Sequence, residues 1–189
     1  MTSAQIAERF ALHRATPQIT ADEHARHRII ELGEWVMARD RIYLDKCFWI
    51  YLRDARMRVP CPPGTSDLLD ALVAGVAAGR LVCPISDALF LELIKQSDLT
   101  TRGATAELID ELSCSVTLCH EPTRVATEVA HFLHVNAGHS VHPLEHLVWT
   151  KVPYILGVQH PVATAFPEDE QLVIQKAFFD HLWERSLST

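Results

Sequence analysis

Two carboxylates stand where a metal-assisted hydrolysis could be built. Asp45 closes the β-prone run Arg41-Ile42-Tyr43-Leu44 and directly precedes a helix-forming stretch that opens Cys47-Phe48-Trp49-Ile50. Open parallel sheets bind ligands outside the carboxyl ends of their strands, and a carboxylate at that place can hold a divalent cation. Its other role there is to cap the helix. Glu92 lies in the run Leu89-Phe90-Leu91-Glu92-Leu93-Ile94, apolar enough to predict a largely buried helix. A charge in such surroundings is paired, protonated or bound to a cation. Lys95 and Gln96, three and four residues on, are its local partners.

Histidines offer a second kind of metal chemistry. The chain has 11, and five of them fall between His131 and His146. His131 and His134 share a face of one predicted helix, and His139, His142, Glu145 and His146 follow. A zinc or iron site needs three or four of these to converge, but Gly138 and Pro143 interrupt the helix. Exposed or hydrogen-bonded histidines are the ordinary alternative. The spacing His-Glu-x-x-His is absent, as are Gly-x-Ser-x-Gly and a glycine-rich phosphate loop. Cys119 and His120 are sequence neighbours, which rarely face each other in a strand. Cys47 reads as a small core residue. Arg53, Arg56 and Arg58 form a short basic run near Asp45, placed either to touch RNA phosphates or to solvate a helix end.

The elements that must position these groups alternate. Apolar residues at helical spacing predict a helix over 4–14, ended before Pro17, and a second to about Ala38 behind the capping box Thr20-Ala21-Asp22-Glu23. Strands are predicted at 41–45, 81–85 and 115–119. Between and after them come a helix from Cys47, a helix capped by Ser66 and ended by Gly79, a helix behind Ser86, one from Thr105 to Leu112, and one from Glu121-Pro122 to Gly138. Pro153 makes 147–156 a strand or an irregular connection, and a last helix is predicted from Glu168 to Leu187. The pattern predicts an α/β fold with a parallel sheet. Residues 1–39 form an N-terminal helical preface, 40–138 the core, and 139–189 a helical extension packed on that core or incomplete.

The run Ile42-Tyr43-Leu44-Asp45-Lys46-Cys47-Phe48-Trp49-Ile50 resembles the first strand and helix of PIN-domain nucleases, where a hydrophobic strand ends in Asp. Gly79-Arg80-Leu81-Val82-Cys83-Pro84-Ile85-Ser86 and the helix carrying Leu91-Glu92-Leu93 resemble that family's second strand and acidic helix. The resemblance covers roughly 41–120. It implies a three-layer PIN-like fold with a parallel sheet and an endoribonuclease that hydrolyses phosphodiesters with Mg²⁺ or Mn²⁺. Asp45 and Glu92 would be catalytic residues and metal ligands, and RNA the partner. Lys46 departs from the family's small residue, and no later strand–Asp–helix segment supplies the family's third and fourth acids. Glu145, Glu168, Asp169 and Asp180 stand in other contexts, and the ending Asp180-His181-Leu182-Trp183-Glu184-Arg185 reads as an interrupted helix. The expectation is therefore a truncated or degenerate domain that cleaves RNA weakly or not at all, with the open side of 41–45 covered by 140–189, by a missing C-terminal portion or by a second copy in a homodimer. Two alternatives remain open: a catalytically inactive PIN-like interaction module, and a histidine-liganded metalloprotein.

Composition sets the outer bounds. The chain's 189 residues are 48% hydrophobic and 22% charged, which predicts a folded protein rather than a disordered one. Seventeen basic and 24 acidic residues give a net charge of −7, so bulk charge does not attract nucleic acid. No apolar run approaches the roughly 20 residues that span a bilayer, and the polar N-terminus is unlike a signal peptide. The five cysteines are odd in number and sit in apolar contexts. They read as reduced thiols of a cytoplasmic protein.

Overall fold

A computed structural model describes residues 3–158, 160–161 and 166–188. It is 62% helix and 6% strand. The helices are α1 (Ser3–Arg14), α2 (Ala21–Met37), α3 (Lys46–Arg56), α4 (Thr65–Ala77), α5 (Asp87–Leu93), α6 (Leu99–Ser113), α7 (Glu121–Asn136), α8 (Leu144–Leu147) and α9 (Glu168–Trp183). The strands are β1 (Asp40–Arg41), β2 (Leu81–Val82), β3 (Val116–Leu118) and β4 (Trp149–Lys151), followed by a 3₁₀ turn over Val152–Tyr154. No described helix is long and apolar enough to cross a membrane.

The expected three-layer PIN-like parallel sheet does not form. β1 and β2 make a two-stranded parallel pair, β3 and β4 a two-stranded antiparallel pair, and one parallel bridge between Ile85 and Thr117 links them. The strand-prone runs are cut short by their own residues. Beyond Val82, whose carbonyl accepts from Ile42 N–H at 3.0 Å, Pro84 offers no N–H to a ladder. Leu44 already leads into the cap of α3. Pro153 ends β4 in the 3₁₀ turn. Nor does the 147–156 segment cover the first strand, since β4 pairs with β3. The edge at β1 is only two residues long, and both Asp40 and Arg41 are charged and exposed. A short charged edge does not template aggregation.

The strands are a thin partition between two apolar clusters. Period-2 alternation sends Cys83 and Ile85 to one side, with Leu44, Trp49, Leu52, Leu72, Leu89 and Leu108 of α3–α6. Val82 and Val116 face the other side, with Leu32 and Val36 of α2 and Phe179 and Trp183 of α9. The N-terminal preface and the C-terminal extension therefore share one core. Gly33 lets α2 and α8 approach until its backbone meets that of His146.

Local signals place most helix starts. Thr20 and Glu23 form the expected capping box, with Glu23 N–H donating to Thr20 Oγ1 at 3.1 Å and Thr20 N–H to Glu23 at 2.8 Å. Ser86 caps α5 through Leu89 N–H at 3.3 Å. The Ser66 cap is corrected to Gly64, whose φ of 81° needs a residue without Cβ. α6 begins six residues before Thr105, where the Asp98 carboxylate accepts from Thr101 N–H at 2.7 Å. α7 buries no residue at all. Its Val125, Val129, Phe132 and Leu133 are exposed.

All five cysteines are free. Burial pushes the Cys83 thiol up to about 12 and the Cys119 thiol to about 11, from an ordinary value of 9.0. A thiol pKa raised by folding stabilises fully below the unfolded value and is lost as pH rises through the folded one. The urea midpoint should therefore fall between pH 9 and 11. Cys83→Ala should flatten that slope, and an unchanged slope would show that Cys83 does not carry it.

Candidate functional site

β1, β2 and β3 all point their carboxyl ends to one side, because β1 runs parallel to β2 and Ile85 runs parallel to Thr117. Asp45 follows β1 there. Its Oδ1 accepts from Lys46 N–H at 2.8 Å, so it is the N-cap of α3, and its Oδ2 accepts from the Cys47 thiol at 3.4 Å. Partial desolvation and then the Asp45 carboxylate hold that thiol above its ordinary pKa. Cys47 therefore stays protonated and is a poor nucleophile.

Glu92 reaches the same edge from α5. Its carboxylate is 3.4 Å from Lys46 Nζ, and both side chains are about half exposed, at 51% and 46%. The expected burial of Glu92 is corrected: α5 buries only the Leu89–Leu93 stripe, leaving Leu91 and Ile94 exposed. Its partner is Lys46 across the edge, not Lys95 or Gln96 beside it.

Two further carboxylates belong to this edge. Asp87 opens α5 after β2, and its Oδ2 accepts from the backbone N–H of Glu121 at 3.1 Å. Glu121 itself opens α7 after β3. Tyr43 and Ser86 hydroxyls, 2.9 Å apart, join the ends of β1 and β2 above them. Both acids were legible by the same signal as Asp45: each directly follows a strand and opens a helix.

The basic run is committed elsewhere. Arg53 pairs with Asp54 at 2.6 Å and donates to Gln96 at 3.0 Å, and Arg56 pairs with Glu111. Of the run, Arg58 is the exposed member.

The histidines of 131–146 do not converge. His131 Nε2 lies 3.1 Å from the carbonyl of His142, and His134 packs edge-on against His139 with ring centroids 5.4 Å apart. Glu145 caps nothing here, but its carbonyl accepts from Trp149 Nε1 at 2.8 Å.

Sequence reasoning missed a second constellation. At the end of α1, in the first turn of α2 and late in α9 stand His13, His24 and Asp180. The Asp180 carboxylate meets His13 Nε2 through Oδ2 and His24 Nε2 through Oδ1, each at 2.8 Å. Among the described residues, these three form the group of His, Cys, Asp and Glu whose ligand atoms all lie within 4.8 Å of one another. Burial lowers the His13 pKa, against the opposing pull of Asp180. Burial works to raise Asp180, but hydrogen bonds and charge from His24 and His13 outweigh it and the net shift is downward. The missed signal lay in α9, where Lys176 and Asp180 occupy the stripe of Val173, Ala177 and Trp183. Charged residues on an apolar face need dedicated partners. Lys176 finds the carbonyl of Thr16 at 2.8 Å.

No protein-family model, curated protein or solved structure matches this chain.

Proposed function

We propose that the protein is a metal-dependent ribonuclease whose Mg²⁺ or Mn²⁺ is held at the carboxyl edge of β1 and β2 by Asp45 and Glu92. One observation carries the reading. Lys46 follows Asp45 in the chain, and its Nζ pairs with the Glu92 carboxylate at 3.4 Å, which brings Glu92 to the edge where Asp45 caps α3. Exposed ion pairs of this kind contribute only about 0–1 kcal/mol, so a divalent ion displaces the ammonium readily. The donors fit the metal, since hard carboxylate oxygens open to water suit Mg²⁺ and Mn²⁺. The ion supplies charge that polarises a phosphodiester and acidifies an attacking water. Asp45 is fixed for this role by its cap bond to α3, and Glu92 by the buried Leu89–Leu93 stripe of its helix. Lys46, released from Glu92, then faces the substrate phosphate. Asp87 and Glu121 add negative charge near the same edge, where each opens a helix.

The test is cleavage of a single-stranded RNA by the purified chain in Mn²⁺. Asp45→Asn and Glu92→Gln should each lower the rate at least about 100-fold, with circular dichroism unchanged. Cleavage that persists in Asp45→Asn, or without divalent ions, overturns the assignment. No cleavage by the unmodified chain at any Mg²⁺ or Mn²⁺ concentration favours the inactive interaction module instead.

A further inference from the structure

We propose that His13, His24 and Asp180 form a separate site for a transition-metal ion of the Zn²⁺ class, independent of the carboxyl edge. The donor set is two imidazole nitrogens and one carboxylate oxygen, which suits Zn²⁺, Co²⁺ or Fe²⁺ rather than Mg²⁺. Three elements deliver these donors from positions 156 and 167 residues apart in the chain. Packing fixes the rings before any ion arrives. His13 is 2% exposed, its ring meets that of His24 edge-on at 5.0 Å, and the His24 ring meets Phe179 edge-on at 5.8 Å.

The distances suit a tetrahedral ion after a small adjustment. Metal–ligand bonds near 2.0–2.1 Å place neighbouring ligand atoms about 3.3 Å apart. His13 Nε2 lies 2.8 Å from Oδ2 and His24 Nε2 2.8 Å from Oδ1, and all the ligand atoms lie within 4.8 Å of one another. The contact to the coordinating oxygen would therefore open by about half an ångström, and the remaining ones shift by a comparable amount, as the ion replaces the hydrogen-bonded protons. Access exists on one side. A cleft of about 1030 Å³ is lined by His24 and Asp180, together with Arg9, His27, Arg28 and His181. His13 is buried behind them, so an ion held by the three would be reached from the cleft side, where a water or substrate could complete its coordination. Two cations oppose the added charge: Arg28, whose Nε is 4.0 Å from Asp180, and Lys176, turned away onto the carbonyls of Thr16 and His13.

Co²⁺ and Zn²⁺ added to the chelator-treated full chain test the site. The expected result is one equivalent of Co²⁺ with the intense visible absorption of a tetrahedral complex, displaced by Zn²⁺. Zn²⁺ at a hundredfold excess over Kd should raise Tm by about 5–10 °C. His24→Ala, at a half-buried ring, should weaken binding at least about 100-fold, and Asp180→Asn should do likewise if folded by circular dichroism. Asp45→Asn should leave Co²⁺ binding unchanged, whatever it does to RNA cleavage. Absence of the tetrahedral spectrum, binding that survives His24→Ala, or loss of binding in His131→Ala instead would overturn the site.

Discussion

Gly33→Ala will destabilise the fold by at least about 3 kcal/mol, well beyond the usual cost of one added methyl in a core. A Cβ at this position would overlap the carbonyl oxygen of His146 and stand 2.5 Å from its Cα. These obstacles are backbone atoms, and no rotamer change removes them. The only relief is for α8 to move off α2, which uncovers Leu32 and Val36 and loosens Trp149 beside them. Urea unfolding of the two proteins, compared at equal m-value, measures the loss. A change below about 1 kcal/mol would mean that α2 and α8 do not pack backbone to backbone. Gly103 is the internal control: a Cβ there meets nothing within 4 Å, and in a helix interior Gly103→Ala should gain about 1 kcal/mol.

Trp49→Ala should cost about 3–5 kcal/mol, whereas Trp49→Phe should cost less than about 1.5. The indole is fully buried among Leu44, Leu52, Leu89 and Leu108, so truncation leaves a cavity in the α3–α6 core. Its Nε1 hydrogen, however, finds no acceptor, and a buried unsatisfied donor costs about 1–3 kcal/mol. Phenylalanine removes that donor and keeps much of the apolar volume, so the two terms offset. Thermal or urea melts of both variants decide it. If the phenylalanine variant were as weak as the alanine one, shape would matter at this site far more than the orphaned N–H.

Most helices and their order were legible in the sequence where a local signal marks them, although α8 was not foreseen and α4 and α6 begin elsewhere than expected. Thr20 and Glu23 announce α2, Ser86 announces α5, and Pro122 in the first turn announces α7. The sheet was not legible. Ile42-Tyr43-Leu44, Leu81–Ile85 and Ser115–Cys119 have strand-like residues, but the length of a ladder depends on which partners keep pace. Pro84 and the cap at Asp45 stop them after two or three pairs. Period analysis also overrated burial. The apolar run around Glu92 suggested core, while only the Leu89–Leu93 stripe of α5 is covered. Of the candidate edge, Asp45 and Glu92 were readable one element at a time. Lys46, the partner of Glu92, was readable only as a departure from a resemblance. His13 and His24 were not readable at all, because a lone imidazole on a helix carries no signal until α9 returns Asp180 to it.

The two-sided partition also orders the events of synthesis. Nearly all of the first cluster lies between Leu44 and Leu112, with Val152 and Ile155 closing its rim. That half can condense as soon as α6 leaves the ribosome. The second cluster joins α2 to Phe179 and Trp183, so α2 leaves the ribosome well before α9, its partner in that core. During that interval Leu32, Val36 and the ring of His13 are exposed to solvent, and the capping box is the local signal that holds α2. The first cluster is thus a local product of neighbouring elements, whereas the second is closed only when α9 arrives.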